Sequence, residues 1–397
     1  MTREIDHSQA IILSGGGAYG AYEVGVMKAL FTGECPSTKH DFLNPGILTG
    51  TSVGAFNASF VVSHEDVDIC ASARYLEYLW LERVAENPGV CGNGVFRFRA
   101  DPIRLLDPNC SVHPELRFTE LVNDAAFLGR DSFQRMVNFM IGSGSVTGRT
   151  LELIDISSLI TGDPFTDLIK TVISMEHIRN SRRVLRVVAT NWNTGKLRVF
   201  QNKDMSDEFG CEVLRASAAI PGFFHPHRVD GESYVDGGVL MNTPLNCAIV
   251  AGASTLHVIY MDPDLDKIPL RALQSTIDIM DRMMAITSAA RVDEDIESAI
   301  WINEGLEVIE RVNRQQTLSD RDAAAFIRVA AQVYKRLNEG SPYKKLTIHR
   351  YHPHDDLGGG SLGLLNFDRN RIGSLIKRGF DDAVKHNCAD SHCVLPD

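Results

Sequence analysis

Gly50-Thr51-Ser52-Val53-Gly54 sets a serine in a G-x-S-x-G pentapeptide, between a short apolar strand ("GILTG", 46–50) and a helix that starts at about Val53. A serine on a tight strand-to-helix turn has its hydroxyl pushed out of the backbone. Gly50 and Gly54 let strand and helix approach closely, and the helix N-terminus favours developing negative charge. The chemistry this suits is acyl transfer through a covalent acyl-serine. Earlier, Gly15, Gly16 and Gly17 follow the strand "AIILS". Three successive glycines can turn their N–H groups one way and hold the oxyanion of a tetrahedral intermediate, with Val53 as a further donor.

Gly15, Gly17 and Gly20 also fit a dinucleotide-binding loop. That loop requires an acidic residue about 20 positions on, at the end of the second strand, to hold the ribose. Here the second strand ends in Thr49, Gly50, Thr51 and Ser52. A nucleophile stands where the ribose partner belongs, so the oxyanion reading is favoured. An NAD(P)-binding oxidoreductase is kept as the alternative of a different class.

A nucleophilic serine needs a base. The chain has 13 histidines, so a Ser-Asp-His triad is open. A third feature, Tyr234-Val235-Asp236-Gly237-Gly238, ends a short strand in an aspartate whose carboxylate can point back into a cleft. Alone it reads as an ordinary Asp-Gly turn.

The elements around these residues alternate. Strands are expected at 10–14, 46–50, 183–191, 255–262 and 345–351, with helices at 18–31 and from Val53. This is the pattern of an α/β sheet covered on both faces. A core over 8–262 is expected, with a cap or insertion over about 63–183. A helical C-terminal region, 263–397, packs on it and adds the late strand. The Met-rich face of "IDIMDRMMAI" is expected in the core.

The chain has 397 residues and a formal net charge of −11. That charge argues against nucleic acid as a partner. No run approaches the ~18 apolar residues of a membrane span. The polar N-terminus lacks the apolar stretch of a signal peptide, so a cytoplasmic protein is expected, peripheral at membranes or exported by a specialised route at most. The eight cysteines are scattered with no CxxC pair, and free thiols are expected. Pairing of Cys388 with Cys393 is not. "HRYHPHDD" (349–356) groups histidines and aspartates, but its spacing matches no tight metal site.

Taken in order, "SGGGAYGAYEVGV", "GTSVGA" and "ASAAIPGFF…YVDGGVLMNTPL" resemble the patatin-like phospholipase family. The resemblance covers about Ser8 to Asp262 and extends faintly to "LNFDRNRIGSLIKRGFDDA". It implies a three-layer α/β/α sandwich with a mainly parallel central sheet. It implies a Ser52–Asp236 dyad in place of a triad, with Gly15, Gly16 and Gly17 in the oxyanion loop and Gly20, Gly50, Gly54, Gly237 and Gly238 as motif support. The activity implied is hydrolysis of fatty-acyl esters of lipids, with no metal or organic cofactor and with transient membrane-surface contact. Many members carry Arg two residues after the third glycine, where this chain has Tyr19. That leaves room for neutral-lipid or simple-ester hydrolysis; acyl transfer and a partner-activated lipid-binding effector are kept as further alternatives. Phe56, Phe60, Phe223 and Phe224 are candidates to line an acyl groove, and "AIPGFF" (219–224) to keep the site dry.

Overall fold

The computed structural model describes residues 4–86, 94–99, 114–141, 160–261, 276–314, 345–358 and 360–396. The strands are β1 (Asp6–Leu13), β2 (Pro45–Thr51), β3 (Arg97–Phe98), β4 (Ile160–Thr161), β5 (Val184–Asn191), β6 (Leu197–Gln201), β7 (His227–Val229), β8 (Glu232–Asp236), β9 (Thr255–Ile259) and β10 (Thr347–Tyr351). The helices are α1 (Gly20–Thr32), α2 (Val53–Ser63), α3 (Ile69–Leu79), α4 (Pro114–Ile141), α5 (Asp163–Val172), α6 (Met175–Asn180), α7 (Gly210–Ser217), α8 (Leu245–Val250), α9 (Thr276–Arg314) and α10 (Arg369–Val384).

Continuous apolar runs such as Ala10–Leu13 and Ile47–Leu48 suit strands buried on both faces. The sheet runs β10-β9-β1-β2-β5-β8-β7, and its β10-β9-β1-β2-β5 part is parallel. β6, β7 and β8 add the antiparallel part. Because strand side chains alternate in direction, β1 feeds two cores. Ile11 and Leu13 join the core holding α1, α2, α3 and α10. Ala10 and Ile12 join the core on the opposite face, with Leu245 and Ala248 of α8 and Val292, Ile296 and Ala299 of α9. The result is the α/β/α sandwich with a mainly parallel sheet.

One detail of the sheet positions the site. Arg186 to Val188 of β5 pair with β2 on one side and with β6 on the other. Ala189 and Thr190 pair with both β6 and β8. β8 therefore continues on the side of β5 where β2 stops. Thr51 lies opposite Val188, and Asp236 opposite the next residue, Ala189. The end of β2 and the end of β8 are thereby brought head to head.

The segment expected as a cap is divided. Ile69, Ala73, Leu76 and Leu79 of α3, and Leu168, Ile169, Met175 and Ile178 of α5 and α6, are buried in the main core. Between them the described residues are the helical turn Trp80–Val84 with the two residues after it, β3 with its neighbours, α4, and β4 with Gly162. Further on, α10 crosses α1 closely, and a Cβ added at Gly25 or Gly379 would meet the partner helix's backbone. Of the Met-rich stretch of α9 the described side chains Ile279, Met283 and Ile286 are exposed, and among the described residues of α9 those buried against the sheet start at Val292.

Candidate active site

Ser52 sits between β2 and α2 with φ 55° and ψ −123°. A non-glycine residue at positive φ carries strain of about 1–3 kcal/mol, held in place by its surroundings. Those surroundings are specific. The Ser52 N–H donates to Ser217 Oγ at 2.9 Å, and that hydroxyl donates to Val188 O at 2.7 Å. A Cβ on Gly54 would stand 2.6 Å from the carbonyl oxygens of Leu13 and Ser14, so this turn packs against the end of β1 only with glycine there.

Asp236 ends β8 and is 3 % exposed; Ser52 is 4 % exposed. The Asp236 carboxylate accepts a hydrogen bond from the Gly238 N–H at 2.7 Å, and the Ser52 hydroxyl stands close enough to it to favour its charged form. Burial pushes its pKa up to about 6, against the downward pull of those two groups. The two candidate residues, 184 positions apart in the chain, are thus brought side by side.

The glycine turn adjoins them. Gly17 has φ 58° and lines the same cavity as Ser52 and Val53. The N–H groups of Gly16 and Gly17 have no acceptor among the described residues. Gly15 differs from the expectation of an oxyanion donor. Its N–H is taken by Asn242, by the backbone O at 3.2 Å and the side-chain Oδ1 at 3.1 Å, while Asn242 Nδ2 donates back to Gly15 O at 3.2 Å. Gly15 instead ties the turn to the loop after Asp236. Thr51 Oγ1 to Met241 O at 2.9 Å and Thr49 Oγ1 to Pro244 O at 3.2 Å stitch the same loop to β2. Ser217 and Asn242 were not singled out from sequence, although both lie in the stretch 213–245 that holds Asp236.

The cavity at Ser52 has a volume of about 190 Å³. Its wall is largely apolar, with Val53, Phe56, Trp80, Phe165, Ile220 and Phe224 among its residues. Ala219, Ile220 and Phe224 of the "AIPGFF" segment contribute, as does Phe56. Phe60 does not line it and stacks on His64 with ring centroids 4.2 Å apart; Phe223 also stands outside it. Two histidines line the wall, and His227 Nε2 is engaged by the Glu212 carboxylate. Burial and nearby Arg215 lower the His227 pKa despite that carboxylate. Leu364, Leu365 and Phe367, from the turn before α10, close another side. Tyr19 faces that turn: its hydroxyl donates to Gly358 O at 2.9 Å, and the Arg371 guanidinium lies 5.4 Å from its ring centre.

Helix α4 borders the cavity too. Arg99, a wall residue, bonds Asp124 of α4 at 3.4 Å and lies 4.0 Å from the ring centre of Phe127; Phe127 also meets wall residue His225. Among the described residues, the His, Cys and acidic side chains close enough together to share a metal ion lie away from Ser52, beside β10. No described helix is long and apolar enough to cross a membrane.

An uncharacterized NTE family protein of Mycobacterium tuberculosis, and one of Mycobacterium bovis, are each 32 % identical over 125 residues, covering 30 % of this chain and 33 % of theirs. A probable lipid hydrolase of invertebrate iridescent virus 6 is 30 % identical over 83 residues, covering 21 % of this chain and 29 % of its own. The chain thus spans about a third of the length of the curated relatives it matches. The solved structure of VipD from Legionella pneumophila, at 18 % identity over 98 % of this chain and 68 % of that one, has a TM-score of 0.38, too low to argue from. The model of the family described as patatin-like phospholipase matches residues 11–249, more than half of the chain. With the fold and the ordered motifs, that match identifies the chain as a member of the patatin-like phospholipase family.

Proposed function

We propose that the chain is a lipid acyl hydrolase of phospholipase A or lysophospholipase type, working through a Ser52–Asp236 dyad. The observation that carries this reading is that the ends of β2 and β8 set the Ser52 hydroxyl, which lines an apolar cavity, beside the buried Asp236 carboxylate. Asp236 takes the hydroxyl proton as Ser52 Oγ bonds to the ester carbonyl carbon. The carbonyl π electrons move to oxygen, and the N–H groups of Gly16, Gly17 and Val53 hold that oxyanion. The C–O bond to the leaving alcohol then breaks, and Asp236 returns its proton to that oxygen. Water repeats the sequence on the acyl-serine and releases the fatty acid.

A carboxylate of ordinary pKa is a weak base toward a serine hydroxyl. Burial helps by raising the Asp236 pKa. A preformed donor pair helps more, since a single oxyanion donor is typically worth about 3–4 kcal/mol. The apolar wall suits an acyl chain, and Tyr19, in place of a cation, suits neutral lipids and simple esters as well as phospholipids.

Turnover of a short-chain nitrophenyl ester and of phospholipid vesicles by the purified chain tests the reading. Ser52→Ala and Asp236→Asn are expected to lose at least about 10³-fold in kcat/KM on both, while His225→Ala and His227→Ala retain activity. A histidine variant as inactive as Ser52→Ala would replace the dyad with a triad.

A further inference from the structure

At the edge of the sheet farthest from β8, four side chains converge on one point. They are His349 on β10 and His386, Cys388 and Cys393 on the tail after α10. One donor atom from each lies within 4.8 Å of every other. Cys388 Sγ is 3.5 Å from His349 Nδ1 and 3.5 Å from His386 Nε2, and Cys393 Sγ is 3.4 Å from His386 Nε2. A tetrahedral zinc ion with Zn–S of about 2.3 Å and Zn–N of about 2.0–2.1 Å has S···N edges of about 3.6 Å. These three S···N separations match that edge to within about 0.2 Å, and no pair of the four donor atoms is more than 4.8 Å apart.

We propose that His349, His386, Cys388 and Cys393 form a Cys2His2 zinc site that fixes the C-terminal tail to the edge of the sheet. On binding, the two thiols release their protons to solvent and each thiolate gives a lone pair to the ion, alongside two neutral imidazoles. Two thiolates balance the 2+ charge, so the site is neutral overall. Two soft sulfurs, two imidazoles and one centre select zinc over the oxygen-seeking cations.

The surroundings orient these donors as metal sites require. Ser391 Oγ lies 3.4 Å from His386 Nδ1, which turns Nε2 toward the sulfurs. The Arg350 N–H points at Cys393 Sγ at 3.3 Å. The His349 ring stacks on His257, centroids 5.2 Å apart, and His257 is itself held by Tyr351 and Gln9 at 3.0 Å each. The Cys393 N–H closes the loop onto Cys388 O at 2.9 Å. Next along the chain, Val394 pairs with Ile348 of β10 and covers part of an edge strand that would otherwise be open. Cys388 and Cys393 are not joined in a disulfide.

The role is structural. β10 lies three strand spacings, about 14 Å, from β2 and its serine. The site secures the far end of α10, whose near end carries the turn that lines the cavity. From "HRYHPHDD" only His349 takes part, while His352 stacks on Tyr260 with centroids 4.8 Å apart.

The test is metal analysis of the full chain purified under reducing conditions without chelator. One zinc per chain is expected, falling below about a tenth in the Cys388→Ser/Cys393→Ser double variant, with a lower melting temperature. Cobalt(II) added to the wild-type chain after chelation should give the intense visible bands of a tetrahedral thiolate site, which keeps the test decisive if the double variant does not fold. Folded wild-type chain that takes up neither zinc nor cobalt at one per chain would overturn the proposal. So would a Cys388–Cys393 disulfide found by peptide mapping of the reduced preparation. Serine-probe labelling of the same samples reports the hydrolase reading separately.

Discussion

Asp236 must be unprotonated to accept the Ser52 proton, yet its burial favours the neutral acid. With its pKa at about 6, kcat/KM should rise with pH through about 6 and then level off. A plateau that extends below pH 5 would contradict the carboxylate base. The same shift acts on stability. The folded-state pKa lies above the unfolded one, so the carboxyl stabilises the fold most below its unfolded pKa of about 4 and this contribution is lost as pH rises to about 6. Asp236→Asn should therefore leave the chain about 2–3 kcal/mol more stable at pH 8 while inactive, as denaturant unfolding can measure. Asn can keep the Gly238 N–H as a donor to its side-chain oxygen. Of this candidate site, Ser52 was legible from its local glycine motif, whereas Asp236 alone read as an Asp-Gly turn and took its role from the resemblance of the ordered motifs. Ser217 and Asn242 were not legible, because their partners Ser52 and Gly15 lie 165 and 227 residues away. Gly15 was misread for the same reason, since only the fold shows that Asn242 takes its N–H.

At the scale of elements, α4 has two faces. Asp124 and Phe127 turn toward the cavity wall, while Val122, Phe133 and Met136 share the opposite side and are exposed, Phe133 by 70 %. Helical spacing puts these three on one stripe. An exposed apolar stripe above an acyl cavity suits docking on a lipid surface. Phe133→Asp should lower turnover of phospholipid vesicles several-fold and leave a soluble nitrophenyl ester unchanged; equal loss on both would remove the surface role. The parallel strands were readable from their apolar runs, within a few residues at each end. The pairing of β8 on the β2 side of β5 was not, since strand order is absent from local pattern. Ile279, Met283 and Ile286 of α9 are exposed: periodicity shows that a helix has an apolar face, not what covers it.

Across the whole molecule, two cores share one sheet, and the site forms where β1, β2 and β8 end together. The C-terminal region takes part at a distance: α10 packs on α1, and the turn before it lines the cavity. The four donors beside β10 escaped sequence reading because His349 is 37 residues from His386, with a helix between. The ordered set of motifs was readable at this scale, since each marks a strand end: parallel β1 and β2 end on one edge, and antiparallel β8 ends against β2. All of this rests on Ser52 being an activated nucleophile. Labelling the folded chain with a fluorophosphonate ester, followed by peptide mapping, tests it most directly. The account predicts one modified peptide, the one containing Ser52, with labelling abolished in Ser52→Ala. Labelling at another serine, or none in folded protein, would contradict it.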